Sequence, residues 1–242
     1  MKRIFVKDVT GDTLTLGGDD AHHPAYSLRA KRGDKITAVD EAGNCAVIEL
    51  IDFDKTTITA RRVSDIKRVV TERQIILATC LPKQARFDNI IEKATELGVD
   101  KIIPLLSDRT VARPFGVRMQ SKIERWHRIA KEAAEQCARD TIPDIDKIHV
   151  LDFWLKDITP LAEDTLLLFC WEGEQVTTVR EVLSVNGDKN IIVLIGPEGG
   201  FSEREVALIK SAGGVSVTLG NRILKTDTAA ISVLTMISYE SM

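Results

Sequence analysis

A run of five apolar residues leads directly into a glycine-rich loop near the C-terminal end of the chain. Residues 191–195 read IIVLI, and residues 196–202 read GPEGGFS. The pair Ser202 and Glu205 then has the spacing of a capping box, which predicts the start of a helix. A strand, a loop and a helix in this order are typical of a parallel α/β sheet, in which ligands bind beyond the carboxyl ends of the strands.

A second loop follows the same design. Residues 215–219 read VSVTL, residues 220–228 read GNRILKTDT, and the last helix is predicted from about residue 228. Either loop alone would be explained by a plain connection between a strand and a helix. Two such loops can enclose a flat heterocycle and read the edge of an adenine with backbone groups.

The residues of these loops argue against a phosphate ligand. Neither GxxxxGK[ST] nor GxGxxG occurs in the chain, and Glu198 would repel a pyrophosphate. A carboxylate suits a cationic or sugar-bearing ligand, and S-adenosylmethionine has a sulfonium and no phosphate. A dinucleotide enzyme of the Rossmann type is the first alternative, which NAD binding would revive. An RNA-binding protein without catalysis is the second, and it would need no twin loops.

The pattern of the chain changes near residues 67–72. Before this point, short segments rich in Val, Ile, Leu and Thr predict strands at 13–16, 35–39, 45–51 and 57–63, which suggests a small β-barrel. After it, strands are predicted at 73–81, 101–106, 165–170, 190–195 and 215–219. Helices are predicted at 85–97, 118–139, 177–183, 202–211 and 228–239. The alternation predicts an α/β domain with a largely parallel sheet.

Cysteines, histidines and the N-terminus favour a reduced, cytoplasmic protein without a metal. The four cysteines form no CxxC pair, and the four histidines make no ligand pattern with them. The apolar stretch at the N-terminus is too short for a signal peptide, and no segment is long enough to span a membrane.

Positive charge is local, because the formal net charge is -3. Residues 109–139 contain eight Lys or Arg against three Glu, which fits either a phosphate-binding stripe or a solvated helix face with internal ion pairs. Trp126 is predicted to lie in a core or a dimer interface rather than to stack on a base. The residues predicted to face RNA are Arg3, Arg29, Lys31, Arg32, Lys83, Arg86, Arg109 and Arg113.

The two glycine loops resemble the signature of one family of SPOUT methyltransferases, ribosomal RNA small-subunit methyltransferase E. The similarity extends to the segment from Asp88 to Val99, to Arg109 and Thr110, and to the predicted long helix from Arg125 to Arg139. Two positions depart from the usual pattern: Lys225 stands in place of Arg, and Asp227 in place of Glu. Charge is kept at both, but the hydrogen-bond geometry differs.

The resemblance implies a fold, a reaction and partners. Residues 1–70 would form a PUA-like β-barrel that binds RNA, and residues 71–242 a SPOUT domain with a trefoil knot near residues 195–228. The protein would be a homodimer with active sites near the interface. It would transfer a methyl group from S-adenosylmethionine to N3 of a uridine in 16S ribosomal RNA of the small subunit.

Roles can be assigned residue by residue on this basis. Arg222 is the candidate for stabilising negative charge on the base, and Glu198 and Asp227 are candidate proton acceptors or orienting groups. Asp227 is equally suited to capping the last helix. The predicted cofactor-binding residues are Leu194, Ile195, Gly196, Pro197, Glu198, Gly199, Gly200, Leu219, Gly220, Ile223, Leu224 and Thr228.

Overall fold

The fold is described from a computed structural model, which describes residues 2–17, 30–40, 42–54, 57–67, 73–83, 86–112 and 117–240. Contacts divide the chain into two units. Unit 1 comprises Met1–Val70 and Lys131–Ile142, and unit 2 comprises Thr71–Ala130 and Pro143–Met242. The predicted change of pattern at 67–72 lies mostly outside the described residues.

Unit 1 contains one five-stranded sheet with the order β1-β3-β4-β5-β2. Side chains alternate between its two faces, as in β2, where Leu14 and Leu16 are buried between exposed neighbours. The buried faces form one apolar core around Ile36, Ile48 and Leu50. The four predicted strands are present and β1 was missed: the bounds are β1 Arg3–Val6, β2 Thr13–Gly17, β3 Lys35–Asp40, β4 Cys45–Phe53 and β5 Thr57–Ile66.

The sheet of unit 1 is curved rather than closed by a ladder between its edges. Strand β1 is parallel to β3, whereas the other pairs are antiparallel. Register shifts between Val47 and Ile48, and between Leu50 and Asp52, interrupt the β4–β5 ladder, and such bulges bend and twist a sheet. Within the residues described, the edge strands β1 and β2 do not pair with each other.

Residues 131–142 belong to unit 1, although residues 131–139 are part of the long helix predicted at 118–139. The Glu135 carboxylate accepts a hydrogen bond from the Phe5 amide at 3.1 Å, and the Arg3 guanidinium pairs with Asp140 at 2.6 Å. Ala134 is fully buried in an apolar cluster with Phe5. The Arg3 side chain, only 15% exposed, is therefore engaged in the packing of unit 1.

Unit 2 contains a parallel sheet with the order β12-β10-β11-β6-β7-β8, in which β9 also pairs with β7. The predicted parallel α/β domain is thus confirmed. The strands are β6 Ile75–Cys80, β7 Lys101–Leu106, β8 Asp144–Ile145, β9 His149–Val150, β10 Thr165–Cys170, β11 Asn190–Ile195 and β12 Val215–Val217. The helices are α1 Arg86–Glu96, α2 Val117–Gln136, α3 Leu151–Asp157, α4 Val179–Asn186, α5 Glu203–Ser211 and α6 Thr226–Glu240.

Helices cover both faces of this sheet, which explains why its strands are apolar throughout. In β11, Ile191, Val193 and Ile195 pack in the core with α1, α4 and α6, whereas Ile192 and Leu194 pack in the core with α3 and α5. A strand buried on both faces has no polar side, so its sequence is a continuous apolar run. Trp126 of α2 is 2% exposed and its ring lies 4.4 Å from that of Phe87, so it is a core residue.

Three local predictions were incomplete. Helix α3 was missed although Leu151, Trp154 and Leu155 are buried at helical spacing. Helix α2 ends at Gln136 rather than near Arg139, because Ala138 adopts a left-handed backbone with φ 60°. Helix α6 begins at Thr226 rather than at residue 228. In the residues described, no helix combines the length and the apolar character needed to cross a membrane.

Candidate functional site

The strands of unit 2 are parallel, so their carboxyl ends meet at one edge of the sheet, here called the carboxyl edge. The first loop (residues 196–202) leaves β11. The second loop, predicted at residues 220–228, spans residues 218–225 between β12 and α6. Both strands are neighbours of β10, which places their ends two strand spacings apart, roughly 10 Å. This separation leaves room for a flat ring between the loops.

The first loop is held in a tight turn. The Gly200 amide donates to the Pro197 carbonyl at 2.9 Å, and Gly200 has a φ of 67°, a conformation that glycine adopts without strain. The Phe201 ring packs against Gly196, where an added Cβ would lie 3.2 Å from the ring. Ser202 and Glu205 form the predicted capping box at the start of α5. The geometry of the loop is therefore set at both ends.

Glu198 points to the segment before α1 rather than to the second loop. Its Oε1 accepts a hydrogen bond from the Lys83 amide at 2.9 Å and pairs with Arg86 at 3.4 Å. In the described part of the chain, no hydrogen bond or ion pair joins Glu198 to Arg222 or Asp227. These contacts give Glu198 an orienting role in the first loop.

The second loop starts beside the segment that follows β10. The Thr218 amide donates to the Thr177 carbonyl at 2.9 Å, and Thr178 and Thr218 form a parallel bridge. Gly220 has a φ of 103°, and a Cβ built on it would meet no atom within 4 Å. The turn at Gly220 therefore borders open space.

The second loop must then cross back over the sheet. Strand β12 lies at the edge of the sheet, whereas α6, which follows the loop, packs against α1, α4 and β11. Between these two points Leu219 and Leu224 are half-buried, and Arg222, Ile223 and Lys225 are exposed. The loop thus connects the edge strand β12 to a helix that packs on β11.

Asp227 lies in the first turn of α6. The Ala229 amide already donates to the Lys225 carbonyl at 2.8 Å, and the helix begins one residue before Asp227. The proposed N-cap role of Asp227 is therefore wrong. Its Oδ1 is buried and has no hydrogen-bond partner among the described residues. Buried polar atoms in folded proteins normally have a hydrogen-bond partner, so this oxygen is expected to bind a donor from another molecule or from outside the described residues.

Two glutamates at the carboxyl edge have contacts that were not predicted from the sequence. Glu172, which follows β10, brings its carboxylate against Gly200 of the first loop. Glu174 accepts hydrogen bonds from the Ser216 hydroxyl at 2.6 Å and from the amides of Thr177 and Val176, and these bonds lower its pKa from 4.5 to about 2. No sequence motif marks either residue.

The thiol of Cys80 at the end of β6 is not a suitable nucleophile. Burial raises its pKa to about 12, so it stays protonated at neutral pH, and only the thiolate is reactive.

The residues predicted to face RNA fall into different environments. Lys31 and Arg32 are exposed in unit 1, and Lys83 and Arg109 are exposed in unit 2, whereas Arg3 is engaged with Asp140. On α1, Lys93 pairs with both Glu92 and Glu96 at 2.8 Å, so that acidic pair is a surface ion-pair cluster. Two further predicted residues, Arg29 and Arg113, lie outside the described residues.

Comparison with known proteins gives consistent results. A family model described as an RNA methyltransferase domain matches residues 70–238. A Bacillus subtilis protein named ribosomal RNA small subunit methyltransferase E is 31% identical over 233 residues, which cover 95% of this chain and 91% of that protein.

Solved structures agree over nearly the whole chain. The Neisseria gonorrhoeae ribosomal RNA small subunit methyltransferase E, solved with bound S-adenosylmethionine, matches with a TM-score of 0.88 and 26% identity, covering 99% of this chain and 98% of that one. A putative methyltransferase from Legionella pneumophila, in complex with the same cofactor, matches with a TM-score of 0.81 and 26% identity, covering 98% and 97%.

Proposed function

The chain belongs to the ribosomal RNA small subunit methyltransferase E family, and from this premise we propose that it methylates N3 of a specific uridine in 16S ribosomal RNA with S-adenosylmethionine. Two observations support this most strongly: both glycine loops leave strands that pair with β10 at the carboxyl edge, and the buried Oδ1 of Asp227 has no partner among the described residues. The relatives and solved structures with this fold are named for methyl transfer to ribosomal RNA and for binding S-adenosylmethionine.

The residues present fit this cofactor. The open space beside Gly220 and the roughly 10 Å between the ends of β11 and β12 match a flat adenine. The glycines leave the backbone amides and carbonyls accessible to an adenine edge. The loops contain no phosphate-binding motif, and the cofactor has no phosphate.

The binding roles follow from the position of each residue. Backbone groups of Leu194, Ile195 and Gly196 at the end of β11, and of Leu219, Gly220 and Leu224 in the second loop, hold the adenosine. Pro197, Gly199 and Gly200 shape the first loop, and Ile223 and Thr228 border the same space. When bound, S-adenosylmethionine supplies an electrophilic methyl group on a positively charged sulfur.

The chain's own residues then prepare the uridine. The base must lose its N3 proton before the nitrogen can form a bond to carbon. Asp227 Oδ1 is the acceptor that we propose, because it is buried and has no partner in the part of the chain that the structure describes. A positioned base contributes about 10²–10⁴-fold to rate. Arg222, which is exposed in the second loop, stabilises the negative charge on the uracil oxygens. Glu198 orients the first loop through Lys83 and Arg86.

The two units have different tasks in this proposal. Residues 1–70 act as a PUA-like RNA-binding domain, with Lys31 and Arg32 as phosphate contacts, and residues 71–242 act as the catalytic SPOUT domain. The passage of the second loop from β12 back to a helix packed on β11 supports a trefoil knot in this region. Lys83, Arg86 and Arg109 are the proposed RNA contacts of the catalytic domain, and Arg29 and Arg113 stay predictions.

We also propose a homodimer with active sites near its interface. Helix α6 exposes Met236 and Tyr239, and Ile223 in the preceding loop is 91% exposed. Large apolar side chains exposed on this helix and on the loop before it would suit a surface that a partner covers. Sedimentation equilibrium would test this, and a monomer at micromolar concentration would contradict it.

The experiment that tests the reaction uses labelled S-adenosylmethionine and small ribosomal subunits from a strain that lacks the modification. We expect label in 16S ribosomal RNA at one uridine, on N3. A protein that binds RNA without transferring label would support the non-catalytic alternative instead, and binding of NAD would support a dinucleotide enzyme.

A pair of variants tests the proton acceptor. Asp227→Asn should retain cofactor affinity and lose at least about a hundredfold in kcat, because the amide cannot accept the proton. Asp157→Asn, an exposed residue at the end of α3, is the matched control and should retain full turnover. A normal rate for Asp227→Asn would exclude Asp227 as the acceptor.

A further inference from the structure

The turn after β7, formed by residues 107–110, is built around two buried hydroxyl residues. The Ser107 amide donates to Thr110 Oγ1 at 2.9 Å, and the two hydroxyl oxygens are also 2.9 Å apart. Both residues are buried, and Asp108 and Arg109 between them are exposed. The buried Ser107 and Thr110 therefore fix the turn, and one acidic and one basic side chain point outward from it.

A buried carboxylate ties this turn to the end of the first loop. Glu205 is 0% exposed; its Oε1 accepts from the Asp108 amide at 2.7 Å and its Oε2 from the Ser202 amide at 2.8 Å. A buried carboxylate with a donor on each oxygen has a single favourable position. The turn and the loop are thus held in one arrangement.

An ion-pair cluster reinforces this connection at the surface. Arg204 donates to Asp108 at 2.7 Å and to Asp152 of α3 at 2.6 Å, and the Ser202 hydroxyl donates to Asp108 at 2.8 Å. The hydrogen bonds from Arg204 and Ser202 hold the pKa of Asp108 below its ordinary value. Exposed pairs add little free energy, but a bridging guanidinium limits the directions that the turn can take.

Arg109, next in the turn, lies across the first loop. Its Nη1 donates to the Gly199 carbonyl at 2.7 Å, and a Cβ added to Gly199 would approach the Arg109 Cβ to 3.2 Å. The stem of the arginine therefore covers the glycine, and its head group holds the main chain of the loop. The side chain also remains open to solvent, as an RNA contact requires.

We propose that Arg109 couples RNA binding to cofactor binding, because one guanidinium bonds both the Gly199 carbonyl and a phosphate of the RNA. This rests on the proposed function. A guanidinium has a planar fork of several donors, so it can serve two acceptors at once. When a phosphate fixes the Arg109 guanidinium, the bond to Gly199 also fixes the first loop. When the cofactor fixes the first loop, the same bond holds the guanidinium in the position that binds RNA. The two affinities therefore rise together, by the same factor.

Asp108 and Glu205 are positioning residues in this scheme. They do not contact RNA or cofactor, and they hold the turn so that the Arg109 head group reaches Gly199. Loss of the Arg204 pair should loosen the turn and reduce the coupling between the two ligands, although Arg109 keeps its own positive charge.

The coupling is measured by titrating S-adenosylhomocysteine, which cannot transfer a methyl group, into the full-length protein with and without saturating small ribosomal subunits. We expect the Kd to fall at least about fivefold when the subunits are present, within the usual range of coupling between sites. The affinity for subunits should rise by the same factor when S-adenosylhomocysteine is saturating.

Three variants identify the origin of the coupling. Arg109→Lys keeps the positive charge but has no planar fork, so RNA affinity should persist while the ratio of the two Kd values falls towards one. Asp108→Asn should lower that ratio in part. Lys101→Gln removes a cation that pairs with Asp144 and Asp146 at the opposite edge of the sheet, and it should keep the full ratio. Melting temperatures of all variants are compared to show that each is folded.

The outcomes separate the inference from the proposed function. Equal Kd values with and without subunits in the unchanged protein, or full coupling in Arg109→Lys, would overturn the role of Arg109 even if methylation proceeds normally. A protein that binds no S-adenosylhomocysteine and transfers no methyl group would overturn the proposed function itself.

Discussion

Replacement of Gly200 by alanine tests whether the first loop depends on a left-handed backbone. Gly200 has a φ of 67°, where a residue with a Cβ is less stable by about 1–2 kcal/mol. The new Cβ would also meet the Glu172 carboxylate, but that is the far end of an exposed side chain, which can rotate away. We therefore expect Gly200→Ala to lower the free energy of unfolding by about 1–2 kcal/mol, nearly all of it from the backbone.

The assay follows unit 2 alone. All three tryptophans of the chain, Trp126, Trp154 and Trp171, lie in unit 2, so tryptophan fluorescence during urea denaturation reports the unfolding of this unit. The melting temperature should fall by about 2–8 °C for a protein of this size. Cofactor affinity should fall as well, because the Pro197–Gly200 turn would no longer hold its shape.

Matched variants distinguish the two possible causes of the lost stability, which are backbone strain at residue 200 and the contact of the new Cβ with Glu172. Gly187 has a φ of -56°, and its added Cβ would lie at an ordinary 3.5 Å from the Leu183 carbonyl. Gly187→Ala should therefore be neutral or stabilising by about 0.4–1 kcal/mol. Adding Glu172→Ala to Gly200→Ala should not restore stability. Full recovery in that double variant, or no loss in Gly200→Ala, would refute the argument from backbone strain.

Three further predictions concern the same edge of the sheet. Arg222→Ala should keep cofactor affinity, measured by calorimetry, and lose about a hundredfold or more in kcat; an unchanged rate on small subunits would remove Arg222 from the mechanism. Glu205→Ala should cost roughly 2–4 kcal/mol in urea denaturation, because the amides of Ser202 and Asp108 lose their acceptor; a loss below about 1 kcal/mol would contradict this. The lowered pKa of Glu174 should contribute stability that is complete above pH 4.5 and lost as pH falls to about 2. The difference in unfolding free energy between the unchanged protein and Glu174→Gln should therefore shrink over that range, and a constant difference would show that the lowered pKa is absent.

Most of the secondary structure, and the position of the two glycine loops after their strands, could be predicted from the sequence. The continuous apolar run of β11 indicates burial on both faces, the Ser202 and Glu205 pair indicates a helix start, and the glycines of the two loops indicate turns that other residues would strain. Each of these signals arises from residues close together in the chain. Strands as short as β8 and β9, with two residues each, are too brief to show any period.

The contacts that site residues make with distant parts of the chain could not be predicted from the sequence. Glu205 was recognised as a capping residue, but its other oxygen binds the Asp108 amide, 97 residues away. Glu198 was predicted to be a proton acceptor or an orienting group, but its bond to the Lys83 amide, 115 residues away, could not be predicted. Glu172 was not considered at all, because nothing near it in the chain indicates that it lies against Gly200.

The sequence by itself determined most of the longer strands and helices and the glycine turns, because these depend on local backbone preferences and on the period of burial. Only the tertiary structure decided that β12 lies beside β10, that the end of α2 packs with unit 1, and that Arg109 reaches the Gly199 carbonyl. A hydrophobic period tells which face of an element is buried but not what buries it. Contacts between distant residues depend on strand order and chain path, and these emerge only when the whole core packs together.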